Sequence, residues 1–429
     1  MIDFFSSFSA SLAMTVVFAF ALCDTLMLKF WLAGRQIQHV SQMRASVPLA
    51  FTGKVTLAAH RKAADYTIAK TRFGMVELAW GAVVVVAWTL LGGLSALNEL
   101  LVNIIGHSLA QQVALTVVFV AIGSAIDLPF SLYQTFVIEQ RFGFNKTTLA
   151  LWLQDLAKSA LLSALIGLPL VTLFIWMMGA TGTWWWMWVW SVWMAFNLLA
   201  LLIYPTWIAP LFNQFKPLDD PEVRNRVSQL MTRCGFTSNG FFVMDGSKRS
   251  AHANAYFTGF GASKRVVFYD TLLAQLSPAE VDAVLAHELG HFKHRHVVKR
   301  LIATFAISLA GFFALGWASQ QLWFFTGLGV VPNLTASNDA LALLLFLMVM
   351  PLIGTLIGPV FAQVSRRHEF EADAYAVNQT SGAALASALL KLFEDNASTL
   401  TPDPVYVRFY YSHPPASERL GRLLGNSAV

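Results

Sequence analysis

The sequence is poor in charged residues and nearly devoid of cysteine. Only 12 % of its 429 residues are Asp, Glu, Lys or Arg, about half of the roughly 25 % that is typical of a soluble domain. The two cysteines, Cys23 and Cys234, form neither a disulfide framework nor a C-x-x-C metal pattern. These absences exclude a water-soluble globule and a disulfide-stapled secreted domain.

Apolar residues make up the difference, with a hydrophobic fraction of 56 %, 34 Phe and 14 Trp. A crossing helix needs roughly twenty consecutive apolar residues, and the sequence offers seven such stretches. The first of them lacks a preceding basic segment and is too long for a cleaved signal peptide. We therefore predict seven membrane spans at about residues 8–30, 73–97, 113–136, 160–178, 184–208, 301–325 and 340–363.

The net charge of +5 has two readings, nucleic-acid binding or basic cytoplasmic flanks of a membrane protein. The basic residues decide between them. Lys and Arg are absent from residues 1–28, 98–112, 179–183 and 326–339, whereas residues 29–72, 137–158, 207–300 and 364–429 hold all 29 of them. This alternation predicts an outside N-terminus, a cytoplasmic C-terminus and no nucleic-acid partner.

The large inner loop contains a helix start followed by a metal-binding pattern. Ser277, Pro278 and Glu280 form a capping box with proline at the first helical position. On the helix that follows, His287 and His291 lie four residues apart and project from one face, where both can bind the same zinc ion. Glu288 lies beside the first histidine and is the candidate general base.

A third ligand has to come from elsewhere. His294 and His296 lie at the wrong offsets for the third histidine of an H-x-x-G-x-x-H pattern. A cluster after the last span offers Glu369 and Asp373 on one helical face and Glu371 on another. We predict Glu369 as the ligand and Asp373 as a group that orients His287 or His291. The alternative interpretation of this cluster is a solvated charge run at the end of a span.

Several motifs resemble those of the CAAX prenyl protease 1 family of integral-membrane zinc metalloproteases. In family order they cover about 300 residues. They are Leu128-Pro-Phe-Ser-Leu-Tyr133, Phe142-Gly-Phe-Asn145-Lys-Thr, Tyr204-Pro-Thr-Trp-Ile-Ala-Pro-Leu-Phe-Asn213, Asn254-Ala-Tyr-Phe-Thr-Gly259, H-E-x-x-H at 287–291, Ser365-Arg-Arg-His-Glu369 through Asp373, Ser412-His-Pro-Pro415 and Glu418-Arg-Leu420.

The resemblance implies an all-α membrane protein of seven transmembrane helices around a large chamber. A cytoplasmic-side gluzincin-like zinc domain with a small β-hairpin or sheet would complete it. It implies one Zn²⁺ held by His287, His291 and Glu369. The expected division is residues 1–206 for spans 1–5, 207–302 for the zinc domain, 303–363 for spans 6–7 and 364–429 for the segment with the third ligand.

The resemblance also implies an edge strand on which an extended substrate lies, formed by Asn254, Ala255, Tyr256, Phe257 and Thr258. Main-chain pairing along such an edge would hold a peptide of any sequence. The alternative is a plain surface hairpin with residues 265–269. Partners would be a peptide or lipidated peptide and membrane lipids, and a monomer is expected.

Three further residues have open roles. His413 is a candidate to stabilise the oxyanion of the reaction, or it belongs to a rigid turn before two prolines. Arg366 and Arg419 are candidates to bind a substrate carboxylate, or they pair with Glu371 and Glu418.

Acidic residues within the spans, Asp24, Glu77 and Asp127, should face a polar interior because lipid exposure is costly.

Two other functions remain open on the sequence. One is an HtpX-like membrane quality-control protease, and the other is a transporter or pore with a structural zinc. The Ala- and Trp-rich spans and short outer loops favour a bacterial inner membrane, with the endoplasmic reticulum membrane as the eukaryotic alternative.

Overall fold

The computed structural model describes residues 2–236, 240–258 and 265–425, and its architecture is dominated by helices. The helices of the N-terminal half are α1 (Ile2–Met43), α2 (Leu57–Trp88), α3 (Gly93–Ile105), α4 (Leu109–Tyr133), α5 (Leu149–Leu162), α6 (Leu168–Ala180) and α7 (Trp185–Ile203). The later helices are α8 (Pro221–Arg233), α9 (Asp270–Leu273), α10 (Pro278–Lys293), α11 (His296–Ala318), α12 (Leu322–Gly327), α13 (Asp339–Gln379), α14 (Gly382–Asp395), α15 (Pro404–Tyr410) and α16 (Ala416–Leu423).

Seven helical segments of the described chain are long and apolar enough to cross a membrane, as the sequence predicts. They are Ser9–Met43, Leu57–Trp88, Leu109–Glu139, Leu149–Ala180, Gly182–Leu211, His296–Ala318 and Asp339–Gln379. Short π-helical stretches adjoin several of these helices. Gln134–Glu139 extends α4, Ser163–Gly167 joins α5 to α6, and Tyr204–Ile208 extends α7. The second predicted span, 73–97, runs past the end of α2. The chain breaks at the left-handed Gly92 and starts the separate helix α3 there.

Helix α13 is much longer than the span predicted at 340–363. Its 41 residues correspond to roughly 60 Å at 1.5 Å per residue, about twice the thickness of a hydrocarbon core. The apolar part of α13 therefore crosses a membrane, and its C-terminal part continues beyond it as the same helix. The expected boundaries at 302/303 and 363/364 fall inside α11 and α13, respectively.

A four-stranded sheet lies in the segment between the fifth and sixth spans. Its strands are β1 (Phe215–Pro217), β2 (Phe241–Met244), β3 (Ala255–Thr258) and β4 (Arg265–Tyr269), in the order β1-β2-β4-β3. β2 and β4 are parallel, whereas β1 and β3 pair antiparallel with their neighbours. The pairing with 265–269, which the plain-hairpin alternative expects, is present for 255–258, and Gly259 lies outside the described residues. β3 is at the edge of the sheet.

The two larger hydrophobic cores of the described chain lie in different parts of the molecule. One packs α8, α10 and α14 against the sheet around the fully buried Phe268, Leu285 and Leu289. The other lies among the membrane helices around α12 and the start of α13. The first core places α10 directly against α13, which is what brings the predicted site residues together.

Candidate metal centre

Helix α10 carries the H-E-x-x-H pattern and starts where the sequence predicts. Ser277 and Glu280 form the reciprocal capping box, with the Ser277 N–H donating to Glu280 Oε2 at 2.7 Å, and Pro278 occupies the first turn. This cap satisfies main-chain donors that the first turn would otherwise leave unpaired. The helix therefore holds its register, and His287 and His291 project from the same face.

Three side chains from two helices converge on one point. His287 Nε2 and His291 Nε2 on α10 are 3.2 Å apart. Each is 3.4 Å from an oxygen of Glu369 on α13. These three residues form a group able to hold a metal ion among the described residues. Two ligands at about 2.0–2.1 Å from a tetrahedral ion lie about 3.3 Å apart, so the observed spacings match a shared metal.

The state of the Glu369 carboxylate supports the same assignment. Glu369 is buried, yet its Oε2 receives no hydrogen bond from any described residue. A buried acceptor without a donor is costly, and a cation at the point of convergence would remove that cost. The residues present therefore fit a metal ion with two nitrogen ligands and one oxygen ligand.

Asp373 and the buried Arg419 lie beside Nδ1 of His287, the ring nitrogen that does not face Glu369. Asp373 Oδ1 lies 2.9 Å from His287 Nδ1. Arg419 on α16 donates to both Asp373 oxygens, at 2.9 Å from Nε and 2.5 Å from Nη2. The Nη1 atom of Arg419 is 3.8 Å from Glu369 Oε2. Asp373 thus fixes the ring of His287, and Arg419 balances the charge of Asp373 and also lies close to Glu369.

The electrostatics of α10 follow from burial and these carboxylates. Burial disfavours the charged ring of His287, but Asp373 and Glu369 outweigh it and raise the pKa of His287 to about 9. A metal ion must therefore compete with a proton for the imidazole ring of His287. Burial raises the pKa of Glu288 above its ordinary value, against the opposing effect of the neighbouring imidazoles. A raised pKa makes Glu288 a stronger base.

A cavity of about 650 Å³ opens onto this centre. Glu288, the three converging residues and the described start of the edge strand line it together. His413 also lies on its wall, with Nε2 at 3.4 Å from Glu369 Oε1. The predicted residues on the wall are Asn254, Ala255, Tyr256, His287, Glu288, His291, Glu369, His413 and Arg419. The main chain of Phe257 and Thr258 continues the strand, and their side chains lie outside what the structure describes.

The two candidate arginines have internal partners. Arg366 donates from Nη1 to the carbonyl oxygens of Val407 and Tyr411, at 2.9 and 2.6 Å, and it does not line the cavity. The alternative prediction that Arg419 pairs with Glu371 or Glu418 is wrong, because Arg419 faces Asp373 across the α13–α16 contact. Sequence spacing could not identify that partner, since α16 begins 43 residues after Asp373.

The sequence does not reveal the place of His296, whose offset does not suit a third ligand. In the structure His296 Nδ1 lies 3.0 Å from His291 Nδ1. The sequence shows a histidine five residues after His291. Its contact with His291 depends on the break between α10 and α11, which residue spacing alone does not predict.

The predicted intramembrane acids lie apart from this centre. Glu77 lines a second cavity of about 660 Å³ with Lys29 and Lys70. Asp127 interacts electrostatically with Glu77, and Asp24 is exposed on α1. Lys29 and Lys70 thus share this cavity with Glu77, but apolar residues make up most of its wall, and Asp24 and Asp127 are not among the residues that line it.

Comparison with known proteins identifies the family. Residues 36–214 match the CAAX prenyl protease N-terminal region of five membrane helices, and residues 217–427 match Peptidase family M48. A CAAX prenyl protease 1 homolog of Arabidopsis thaliana is 39 % identical over 70 % of this chain and 70 % of its own length. CAAX prenyl protease 1 of Saccharomyces cerevisiae is 36 % identical over 74 % of this chain and 72 % of its own.

The fold agrees with a solved relative. The crystal structure of S. mikatae Ste24p superposes with a TM-score of 0.89 at 29 % identity, covering 96 % of this chain and 99 % of that chain. Membership of Peptidase family M48 implies a metal, in agreement with the convergence of His287, His291 and Glu369. The chain is a multi-pass membrane metallopeptidase and belongs to the CAAX prenyl protease 1 family.

Proposed function

We propose that the chain is a zinc-dependent endopeptidase that hydrolyses peptide bonds near the C-terminus of prenylated CAAX-type substrates. The observation that carries the proposal is the single cavity that joins the three-residue metal centre, Glu288 and the edge strand β3. Two imidazoles and one carboxylate are a donor set that suits zinc and leaves a fourth position for water or substrate. The names of the relatives supply the substrate class.

When bound, zinc supplies a Lewis acid that polarises the scissile carbonyl and makes water nucleophilic near neutral pH. The remaining steps belong to the side chains. Glu288 accepts the proton of the attacking water and passes it to the leaving amine. His413, which lines the cavity next to Glu369, donates a hydrogen bond to the oxyanion that develops on the carbonyl.

The edge strand β3 holds the substrate. Its inner side pairs with β4 from Ala255 to Thr258, and its outer side pairs with no strand of the described chain. An extended peptide can therefore add to this side through main-chain hydrogen bonds that do not depend on its sequence. Asn254, Ala255 and Tyr256 bring that side to the cavity wall, so the added peptide runs past the metal centre.

The proposal is tested by replacing the base without disturbing the ligands. Glu288→Gln should abolish cleavage of a farnesylated CAAX peptide while zinc stays near one per chain, because the amide cannot accept the proton. Asp282→Asn is the matched control: Asp282 is on the same helix and pairs with Arg226 at 2.5 Å. It should keep wild-type cleavage. Retained cleavage by Glu288→Gln would refute the assigned base.

The same assay separates the other functions that the sequence left open. An HtpX-like protease would cleave unprenylated membrane peptides as well as prenylated ones. A transporter with a structural zinc would show no chelator-sensitive cleavage, and its zinc would need four protein ligands. Among the described residues, three ligand groups converge, which supports an open catalytic site.

The membrane arrangement is a further part of the proposal. The strict segregation of Lys and Arg supports an outside N-terminus, a cytoplasmic C-terminus and a centre on the cytoplasmic side. We also propose that the chain works as a monomer in contact with membrane lipids. A bacterial inner membrane stays a prediction from the composition. Labelling of single cysteines introduced at 107 and at 367 from either side of sealed vesicles tests the orientation.

A further inference from the structure

A second buried histidine lies directly behind the metal centre. Arg295 adopts a left-handed backbone conformation, with φ 56°, between α10 and α11. This residue separates α10 from α11, and His296, the first residue of α11, contacts His291. His296 is only 4 % exposed, which indicates that its polar ring is held by specific partners.

Both ring nitrogens of His296 have a partner. Nδ1 lies 3.0 Å from His291 Nδ1, and Nε2 lies 3.0 Å from Glu371 Oε2. The ring is also stacked on His368, with centroids 4.0 Å apart and planes 9° apart. The orientation of His296 is thus fixed in the plane by two hydrogen bonds and across the plane by stacking.

The protons in this chain of groups can be assigned from the metal centre outward. His291 uses Nε2 to face the ion, so that atom carries no proton and Nδ1 must carry one. His291 Nδ1–H therefore donates to His296 Nδ1, which must be an unprotonated acceptor. His296 then carries its proton on Nε2 and donates it to the Glu371 carboxylate. The opposite assignment would put a proton on the ligating nitrogen of His291.

We propose that His296 is a positioning residue that connects the carboxylate of Glu371 to the metal ligand His291. The inference rests on the proposed zinc-protease function and deepens it. The two histidine ligands then receive the same kind of support by different routes. Asp373 contacts His287 directly, whereas Glu371 acts on His291 through the ring of His296. Such outer partners fix the tautomer and orientation of a ligand and raise its basicity.

The test measures zinc affinity. Full-length protein in detergent is stripped of metal and titrated with Zn²⁺ against a competing chromogenic chelator. His296→Leu removes the acceptor for His291 and should weaken zinc binding about 10- to 100-fold. His296→Gln should stay within about threefold of wild type, because the amide oxygen can accept from His291 while the amide nitrogen donates to Glu371.

A second variant keeps the test decisive if His296→Leu fails to fold. Glu371→Ala changes a partly exposed side chain and should also weaken zinc binding, whereas the double variant His296→Leu/Glu371→Ala should be no weaker than His296→Leu alone. Lys293→Ala is the matched control. Lys293 is exposed in the same segment and takes no part in the hydrogen bonds of His291 and His296. It should bind zinc like wild type.

Two results would overturn the proposal. One is a zinc affinity of His296→Leu within twofold of wild type. The other is an equal loss in His296→Gln and His296→Leu, which would indicate a packing role only. Failure of the proposed function gives a different outcome, since wild-type protein would then bind no stoichiometric zinc or cleave no peptide whatever the state of position 296.

Discussion

Removal of the guanidinium of Arg419 should destabilise the peptidase part of the chain strongly. Arg419 is 5 % exposed and pairs with Asp373 beside Glu369, and the two carboxylates are 5 % and 4 % exposed. In the metal-free protein His287, with its pKa raised to about 9, balances one of these carboxylates. Deleting Arg419 leaves the other carboxylate buried without a counter-charge, and breaking a buried ion pair in this way costs about 3–5 kcal/mol. In a cooperative unit the size of residues 217–427, each kcal/mol lowers Tm by about 2–4 °C. Arg419→Ala should therefore lower Tm by about 6–20 °C.

The measurement is thermal unfolding of the metal-stripped protein in detergent, followed by circular dichroism. Arg419→Lys keeps the charge but loses the two-pronged contact with Asp373, so its Tm should lie between those of wild type and Arg419→Ala. Arg422→Ala is the matched control. Arg422 is on the same helix, and its guanidinium lies 3.6 Å from the centroid of the ring of the half-buried Phe370. This contact contributes about 0.5–1 kcal/mol. A Tm of Arg419→Ala within about 2 °C of wild type would contradict the assigned role.

Two other changes give separate readouts. Burial opposes ionisation of Glu280, but Lys391 at 2.7 Å and other donors hold its pKa at about 2. Its carboxylate therefore stabilises the fold above pH 4.5 and loses that effect as the pH falls toward 2. Glu280→Gln should cost about 2–3 kcal/mol at pH 7 and about half as much at pH 3, which is still above the folded-state pKa of about 2. The cost is measured by urea unfolding, and a pH-independent difference would refute the ion pair as its source. Gly290→Ala would place a Cβ 2.9 Å from Ala372 Cα. The change should push α10 away from α13, cost about 1–3 kcal/mol and weaken zinc binding in the chelator competition. Gly311→Ala on α11, with no atom within 4 Å of its added Cβ, should do neither.

The membrane helices were predictable because hydropathy is a local property. The ends of those helices were less so. The span predicted at 340–363 stops where charges begin, near Arg366, whereas α13 continues to Gln379. The continuation depends on Ala372 and Ala376, which are fully buried against α10. That packing is a tertiary effect, and hydropathy along the chain does not record it.

The metal-facing residues were predictable for a different reason. His287 and His291 share a helical face by spacing alone, and Glu369 and Asp373 share another. The partners of these groups depend on how separate elements meet. Arg419 reaches Asp373 from a helix that begins far along the chain, and His296 reaches His291 only because the chain turns at Arg295. Spacing rules assume one continuous helix, so they miss contacts made across a break.

The way the two ligand-bearing helices join the membrane spans has a consequence for the substrate. α10 ends at Lys293, and the sixth span begins three residues later at His296. On the other side, residues 340–365 of α13 contain no charged residue, and Glu369 follows one turn after them. His291 and Glu369 therefore lie within about one or two helical turns, on the order of 10 Å, of a membrane-crossing segment, and His287 lies about one turn farther along α10. In a peptide whose C-terminal lipid is held in the bilayer, only the last few peptide bonds lie within that distance of the membrane. The position of the metal centre thus favours cleavage next to a lipid anchor over cleavage within an extended soluble loop.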